Sequence, residues 1–303
     1  MRTISLRKGL LAPAALMTVA ALVLGGCANN EGDTATDKPS AAGDVTIDEA
    51  AAAKLPEDIK TAGVISIGID PTYPPNEYKD AQGTPIGWEV ELMDAMAAKL
   101  GVKTTYTVAK FDNIIPGITG GKYDMGLSSF FDTQEREQQV DMVDYYTAGI
   151  QWATPAGKPQ DPATACGITL AVQNGTTQQL DDGPAKSKAC TDAGKEKIDL
   201  LGFDTQDDAT AAVTLGRADA VSADSPVIQY AVKQSGGKLE LSGDVYDIFL
   251  YGMPVAKDKA GLADALVAAL DSLKADGTYM KILEAYGVEQ GALDAFEING
   301  ADR

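Results

Sequence analysis

A chain of 303 residues with 44 acidic and 25 basic side chains has a formal net charge of −19, which excludes a broad basic face and argues against nucleic acid as a partner. It contains no histidine and only three cysteines, so a zinc site is not expected; the chain is expected to work without any other metal or cofactor. Once a leader and a tether are set aside, about 250 residues remain, too many for one small core and suited to two lobes.

The leader comes first. Arg2, Arg7 and Lys8 precede an apolar run over residues 10–24 that ends in Leu24-Gly25-Gly26-Cys27. The run is shorter than the ~20 residues a membrane-spanning helix needs, and small residues stand where a signal peptidase cuts, so residues 1–26 read as a secretion signal. The segment resembles a bacterial lipoprotein signal, which implies that Cys27 becomes the lipidated first residue of the mature protein; ordinary secretion is the alternative. Residues 27–54 are assigned to this cysteine and a flexible tether, because the stretch after Cys27 is rich in Ala, Gly, Asp, Asn and Thr and lacks apolar periodicity.

The folded part opens with an aliphatic strand over residues 64–69 and a loop over residues 70–75 that contains three prolines. Residues 87–100 place Val90, Met93, Ala97 and Leu100 on one helical face, with Gly101 as the stop. A strand over residues 104–108 comes next, then a helix introduced by Phe111 and Asp112 that Gly120 and Gly121 terminate. Residues 127–136, LSSFFDTQER, read as a strand end feeding a helix start. Asp132 with Glu135 fits a capping box, and Arg136 is aimed into a cleft beside free backbone N–H groups, a setting suited to a small carboxylate.

The second half of the chain repeats this arrangement. Gly121-Lys122-Tyr123-Asp124 recurs about 95 residues later as Gly216-Arg217-Ala218-Asp219, each after an apolar helix and before a strand with polar residues at its end. The second half has its own first strand at residues 168–172, broken by Gln173-Asn174-Gly175-Thr176-Thr177 before a helix. Strand ends facing each other across two lobes form a cleft for a small ligand. The stretches 145–153 and 245–255 read as two hinge strands. With Cys27 lipidated, Cys166 and Cys190 are an even pair in an oxidising compartment and are expected to be bonded.

The segments GIDPTYPPNEYKDAQGTPIGWEVELMDAMAAKLG, FDNIIPGITGGKYDMGLSS, TQER, NGTTQ, GRADAVSADSP and DGTYMKILEAYG, in this order, resemble the family-3 extracellular solute-binding proteins of amino-acid ABC importers. The resemblance spans about residues 55–287 and implies an α/β fold of the type II periplasmic-binding class: two Rossmann-like lobes with mixed sheets, joined by two hinge strands around a cleft. Lobe 1 is expected at residues 55–148 plus 251–303 and lobe 2 at 149–250. The implied function is capture of a polar L-amino acid by hinge closure and delivery to the transmembrane subunits of an ABC permease. The protein would be a monomer, extracytoplasmic, held to the membrane by its lipid, and not an enzyme. A sensor for a signalling partner and a secreted dehydratase-like enzyme are the alternatives.

Carried over residue by residue, the resemblance gives Arg136 the α-carboxylate, with Ser129 and the N–H groups near Thr176 and Thr177 as further donors. Asp224 would accept from the α-ammonium, although apart from the resemblance it reads first as an N-cap before Pro226. Tyr73 and Phe111 would flank the ligand's side chain, and Asp70, otherwise a turn-starting Asp, would meet an amide or cation there. Trp88 reads as packing. Two positions depart from the family: Asn76 replaces an aromatic residue and offers a polar contact, and Phe131 replaces a carboxylate-binding hydroxyl. The balance leans toward a cationic or amide-bearing ligand.

Overall fold

A computed structural model describes residues 44–259 and 261–302. The expected leader and Cys27 lie outside the described residues. Residues inside the expected tether are already folded: Asp48 caps α1 (Glu49–Ala52), accepting from the N–H groups of Ala50 and Ala51, and donates its own N–H to Lys99 O. Ala51 and Leu55 are buried, so residues 49–54 belong to the folded body, because they cover apolar surface that would otherwise meet water.

Helix α2 (Glu57–Ala62) leads into β1 (Val64–Ile69). A small antiparallel sheet comes next, made of β2 (Thr72–Tyr73), β3 (Glu77–Lys79) and β4 (Pro85–Ile86). Gly87 then starts α3 (Trp88–Lys99). It has a φ of 131°, and a Cβ there would stand 2.1 Å from Asn76 O, so only glycine fits. Val90, Met93, Ala97 and Leu100 are buried as expected, but so are Leu92 and Met96. The helix is enclosed on more than one side because two C-terminal helices, α9 (Leu262–Ala275) and α10 (Thr278–Tyr286), cover the side away from the sheet.

The first lobe continues with β5 (Lys103–Val108), a 3₁₀ turn Phe111–Asn113 into α4 (Ile114–Thr119), β6 (Met125–Gly126) and α5 (Gln134–Glu137). The second lobe holds β8 (Thr169–Gln173), a π-helical turn Gln178–Asp182 running into α6 (Gly183–Asp192), β9 (Asp199–Phe203), α7 (Gln206–Thr214), β10 (Ala220–Asp224) and α8 (Ser225–Gln234). Two long strands, β7 (Asp141–Pro155) and β11 (Leu239–Val255), run between them and extend the expected hinge stretches at both N-terminal ends. The expected lobe boundaries at residues 148/149 and 250/251 fall inside these strands. Among the described residues no helix is long and apolar enough to cross a membrane.

The sheet order is β5-β1-β6-β11-β7-β10-β8-β9, with parallel pairing inside each lobe and antiparallel pairing where the long strands join. Each half thus has its first strand in the middle and gains a long strand from the other crossing. The repeated Gly-Lys/Arg-x-Asp turn has one physical role in both halves. Asp124 accepts from the N–H of Ser66 at 2.9 Å, and Asp219 accepts from the N–H of Thr169 at 2.8 Å, so each carboxylate secures the entry of the neighbouring parallel strand.

Cys166 and Cys190 are bonded, with their Cα atoms 5.7 Å apart, as expected from the sequence. The bridge ties the approach to β8 to α6. Closing a loop of this length contributes ~3 kcal/mol in the chain-entropy model. The double variant Cys166→Ser/Cys190→Ser is therefore expected to melt about 6–12 °C lower, while ligand affinity at 25 °C stays unchanged; a scanning calorimetry trace at the wild-type temperature would contradict this.

Candidate functional site

The strand ends of the two lobes meet at a pocket lined by Asp70, Tyr73, Glu77, Phe111, Ser128, Ser129, Phe131 and Arg136 from the first and by Gln173, Thr176, Thr177, Gln178 and Asp224 from the second. Nine of the ten residues singled out in the sequence are brought together here. Asn76 is the exception. It is fully buried, accepting from Trp88 Nε1 at 2.7 Å and donating to Ser129 Oγ at 2.8 Å, so it holds the wall from behind and offers the pocket no contact.

Arg136 is placed by α5, whose cap is Thr133: the Thr133 hydroxyl accepts from the Arg136 N–H at 3.3 Å. The expected capping box is thus displaced by one residue. Asp132 instead turns inward toward Asp144, where burial and neighbouring carboxylates raise the two to about 7 and about 8. The guanidinium lies over the rings of Phe111 and Phe130, 5.6 and 5.2 Å from their centroids, and burial pulls it down to about 10. It donates to Phe131 O at 2.6 Å and to Gly175 O of the other lobe at 3.3 Å. Phe131, which brings no hydroxyl, serves this cation through its backbone carbonyl, and its ring stacks on Phe249 of β11 at 4.5 Å.

Asp224 is 3% exposed and stands in the N-cap position of α8, yet its carboxylate makes no capping bond there. It faces the pocket instead. Gln178 Nε2 and the Tyr251 hydroxyl both donate to it at 2.6 Å, while its backbone N–H donates to the Tyr73 hydroxyl at 3.0 Å. Burial raises this carboxyl to about 7, against the opposing pull of these hydrogen bonds and of Arg136. Asp70, at the end of β1, accepts from Gln173 Nε2 of the other lobe at 2.7 Å, and burial raises it to about 6. The Thr176 hydroxyl donates to Gln173 O at 2.8 Å, which steadies the turn carrying Thr177.

Ser129 has a φ of 49°, an uncommon conformation for a residue with a Cβ. Glu89 compensates, accepting from its N–H at 3.2 Å and from its hydroxyl at 2.7 Å. The lobes also touch outside the pocket, through Lys110–Asp204 at 2.5 Å and the Gln206 N–H donating to Thr72 Oγ1 at 3.3 Å. With the walls in this contact the free volume between them is about 10 Å³, room for one water. A larger solute does not fit the pocket in this arrangement.

Glu77, Ser128, Gln173 and Gln178 line the pocket without having been singled out as binding residues in the sequence. Each adjoins a motif that was: Glu77 comes just after the proline loop, Ser128 precedes Ser129, and the glutamines flank Asn174-Gly175-Thr176-Thr177.

The profile of the bacterial extracellular solute-binding proteins, family 3, matches residues 65–289. The arginine-binding protein ArgT of Corynebacterium glutamicum is 40% identical over 251 residues, covering 82% of both chains. The lysine/arginine/ornithine-binding periplasmic protein of Escherichia coli is 30% identical over 245 residues, 77% of this chain and 89% of the other. Among solved structures, an ancestral arginine-binding protein bound to arginine matches with a TM-score of 0.68 and 32% identity, covering 74% of this chain and 98% of that one.

Proposed function

The chain belongs to the family-3 bacterial extracellular solute-binding proteins, and from that premise we propose that it is the receptor of an ABC importer that captures a cationic L-amino acid, arginine foremost. The observation that carries this reading is the opposition of Arg136 and Asp224 across one pocket, a cation for an α-carboxylate and an anion for an α-ammonium, beside a further carboxyl at Asp70. Ser129, Thr176 and Thr177 complete the carboxylate end in this reading. Tyr73 and Phe111 flank the side chain, and Phe131 closes the pocket toward the hinge. The relatives named for the ligands they bind, arginine and lysine among them, lean the same way.

The mechanism is hinge closure about β7 and β11, with the lobes divided at residues 148/149 and 250/251. Each lobe supplies part of the site, so a ligand stabilises the closed arrangement through contacts that the parted lobes cannot make together. The closed form, a monomer held at the outer membrane face by lipid on Cys27, would then dock on the transmembrane subunits of its permease. No catalytic group is assigned.

A thermal-shift screen over the amino acids tests the reading. A true ligand at 100 times its Kd adds ~2.7 kcal/mol of stability. Arginine, lysine or ornithine is expected to give the largest shift; a response to dicarboxylic acids alone would overturn the assignment of the pocket.

A further inference from the structure

Behind Ser129 the wall of the pocket holds a pair of carboxyl groups with no part in the receptor scheme. Glu77 on β3 faces the pocket, and Glu89, in the first turn of α3, stands behind it; both side chains are fully buried. Glu89 is supplied as an anion requires. The Tyr145 hydroxyl donates to its Oε1 at 2.6 Å and the Ser129 hydroxyl at 2.7 Å, while the Ser129 N–H donates to Oε2 at 3.2 Å. Among the described residues Glu77 receives only the Ser128 hydroxyl at 3.0 Å and the shared Ser129 hydroxyl at 3.2 Å, and it is hydrogen-bonded to Glu89.

Two adjacent buried carboxyls cannot both ionise cheaply, so the pair holds one proton, and the better-supplied Glu89 leaves it on Glu77. The groups facing Glu77 strengthen this. They are Glu89 from α3, Asp70 from the end of β1, Tyr73 from β2 and Tyr145 from β7, with Asp224 across the pocket, while the Arg136 cation in the pocket wall pulls the other way. Burial, the Glu89 charge and Asp70 together push Glu77 well above the usual carboxylate range, against the Ser128 hydrogen bond.

We propose that Glu77 is the specificity residue for the ligand's side-chain cation, and that its proton passes to solvent as the cation arrives, leaving a carboxylate paired with it. The inference rests on the amino-acid-receptor reading and names how that site selects a cationic side chain. One positive charge enters and one leaves, so the buried cluster keeps its net charge. A ligand of the same shape without the cation leaves Glu77 protonated and gains no ion pair.

Isothermal titration at pH 8, in two buffers of different ionisation enthalpy, counts the protons. At that pH Asp70 and Asp224, at about 6 and about 7, are already ionised, so their contribution is small. The α-amino group titrates alike in arginine and in its uncharged isostere citrulline, so their difference isolates the side-chain site. Wild-type protein is expected to release close to one more proton with arginine than with citrulline. Glu77→Gln is expected to abolish that extra release and to lower the preference for arginine over citrulline at least tenfold. Glu89→Gln, which removes only the neighbouring charge, is expected to reduce the proton release while keeping the preference. Arginine binding to the wild type without extra proton release overturns the inference and leaves the receptor reading intact, whatever the variants do. Absence of binding by any amino acid overturns both.

Discussion

Arg136→Ala is expected to weaken amino-acid binding by about 30-fold or more, because truncating one partner of a buried, hydrogen-bonded charge pair costs roughly 2–5 kcal/mol and each 1.4 kcal/mol is tenfold. The guanidinium lies over Phe111 and Phe130, and the N–H groups that now donate to Phe131 O and Gly175 O are the ones a ligand carboxylate would take over. Arg136→Lys should rescue little, since a point charge cannot make two parallel bonds. Ligand-free stability should hardly move. Burial already lowers the guanidinium's affinity for its proton, so its removal relieves a cost as well as losing two contacts, and α5 keeps its Thr133 cap. Calorimetric titration with a thermal melt of the free protein separates the two effects; wild-type affinity in the alanine variant would remove Arg136 from the site.

The fold was legible where one residue type has one physical use. The two Gly-Lys/Arg-x-Asp turns mark equivalent places because a small residue in the left-handed region and a strand-securing carboxylate are both required there. Legibility failed where two neighbours compete for one job. Thr133, one position after Asp132, takes the cap, and Asp132 packs inward. Asn76 reads as a polar loop residue, but the Trp88 indole and the strained Ser129 use both ends of its amide. Asp224 could not be told from a simple N-cap in sequence; in the structure it bonds Gln178 and Tyr251, residues 46 and 27 positions away. Glu77, Gln173 and Gln178 were missed for the same reason: their exposure to the pocket depends on how the lobes face each other, which no local pattern encodes.

Asp224→Asn is expected to stabilise the ligand-free protein at pH 8 and at the same time to weaken binding by about 30-fold or more. Both effects arise from a buried carboxyl raised to about 7 from an ordinary value of 3.8. Between those two values the folded chain holds a proton that the unfolded chain has lost. The stability that this proton contributes is therefore fully present below about 4 and is lost as pH rises through about 7. At pH 8 the ionised side chain is a burden on the free fold, which the isosteric amide removes; the gain is on the order of a few kcal/mol at most, because Gln178 and Tyr251 already ease the charge. Binding carries the opposite sign, since an α-ammonium needs the carboxylate. Wild-type affinity should fall by up to tenfold per unit as pH drops below about 7, for neutral and cationic ligands alike, and the variant should lose this component. The comparison requires chemical melts and titrations of both proteins at pH 5.5 and pH 8. Wild-type affinity in the variant would remove Asp224 from the ammonium site. Unchanged stability at pH 8 together with lost binding would leave Asp224 in the site but show that its burial costs the free fold little.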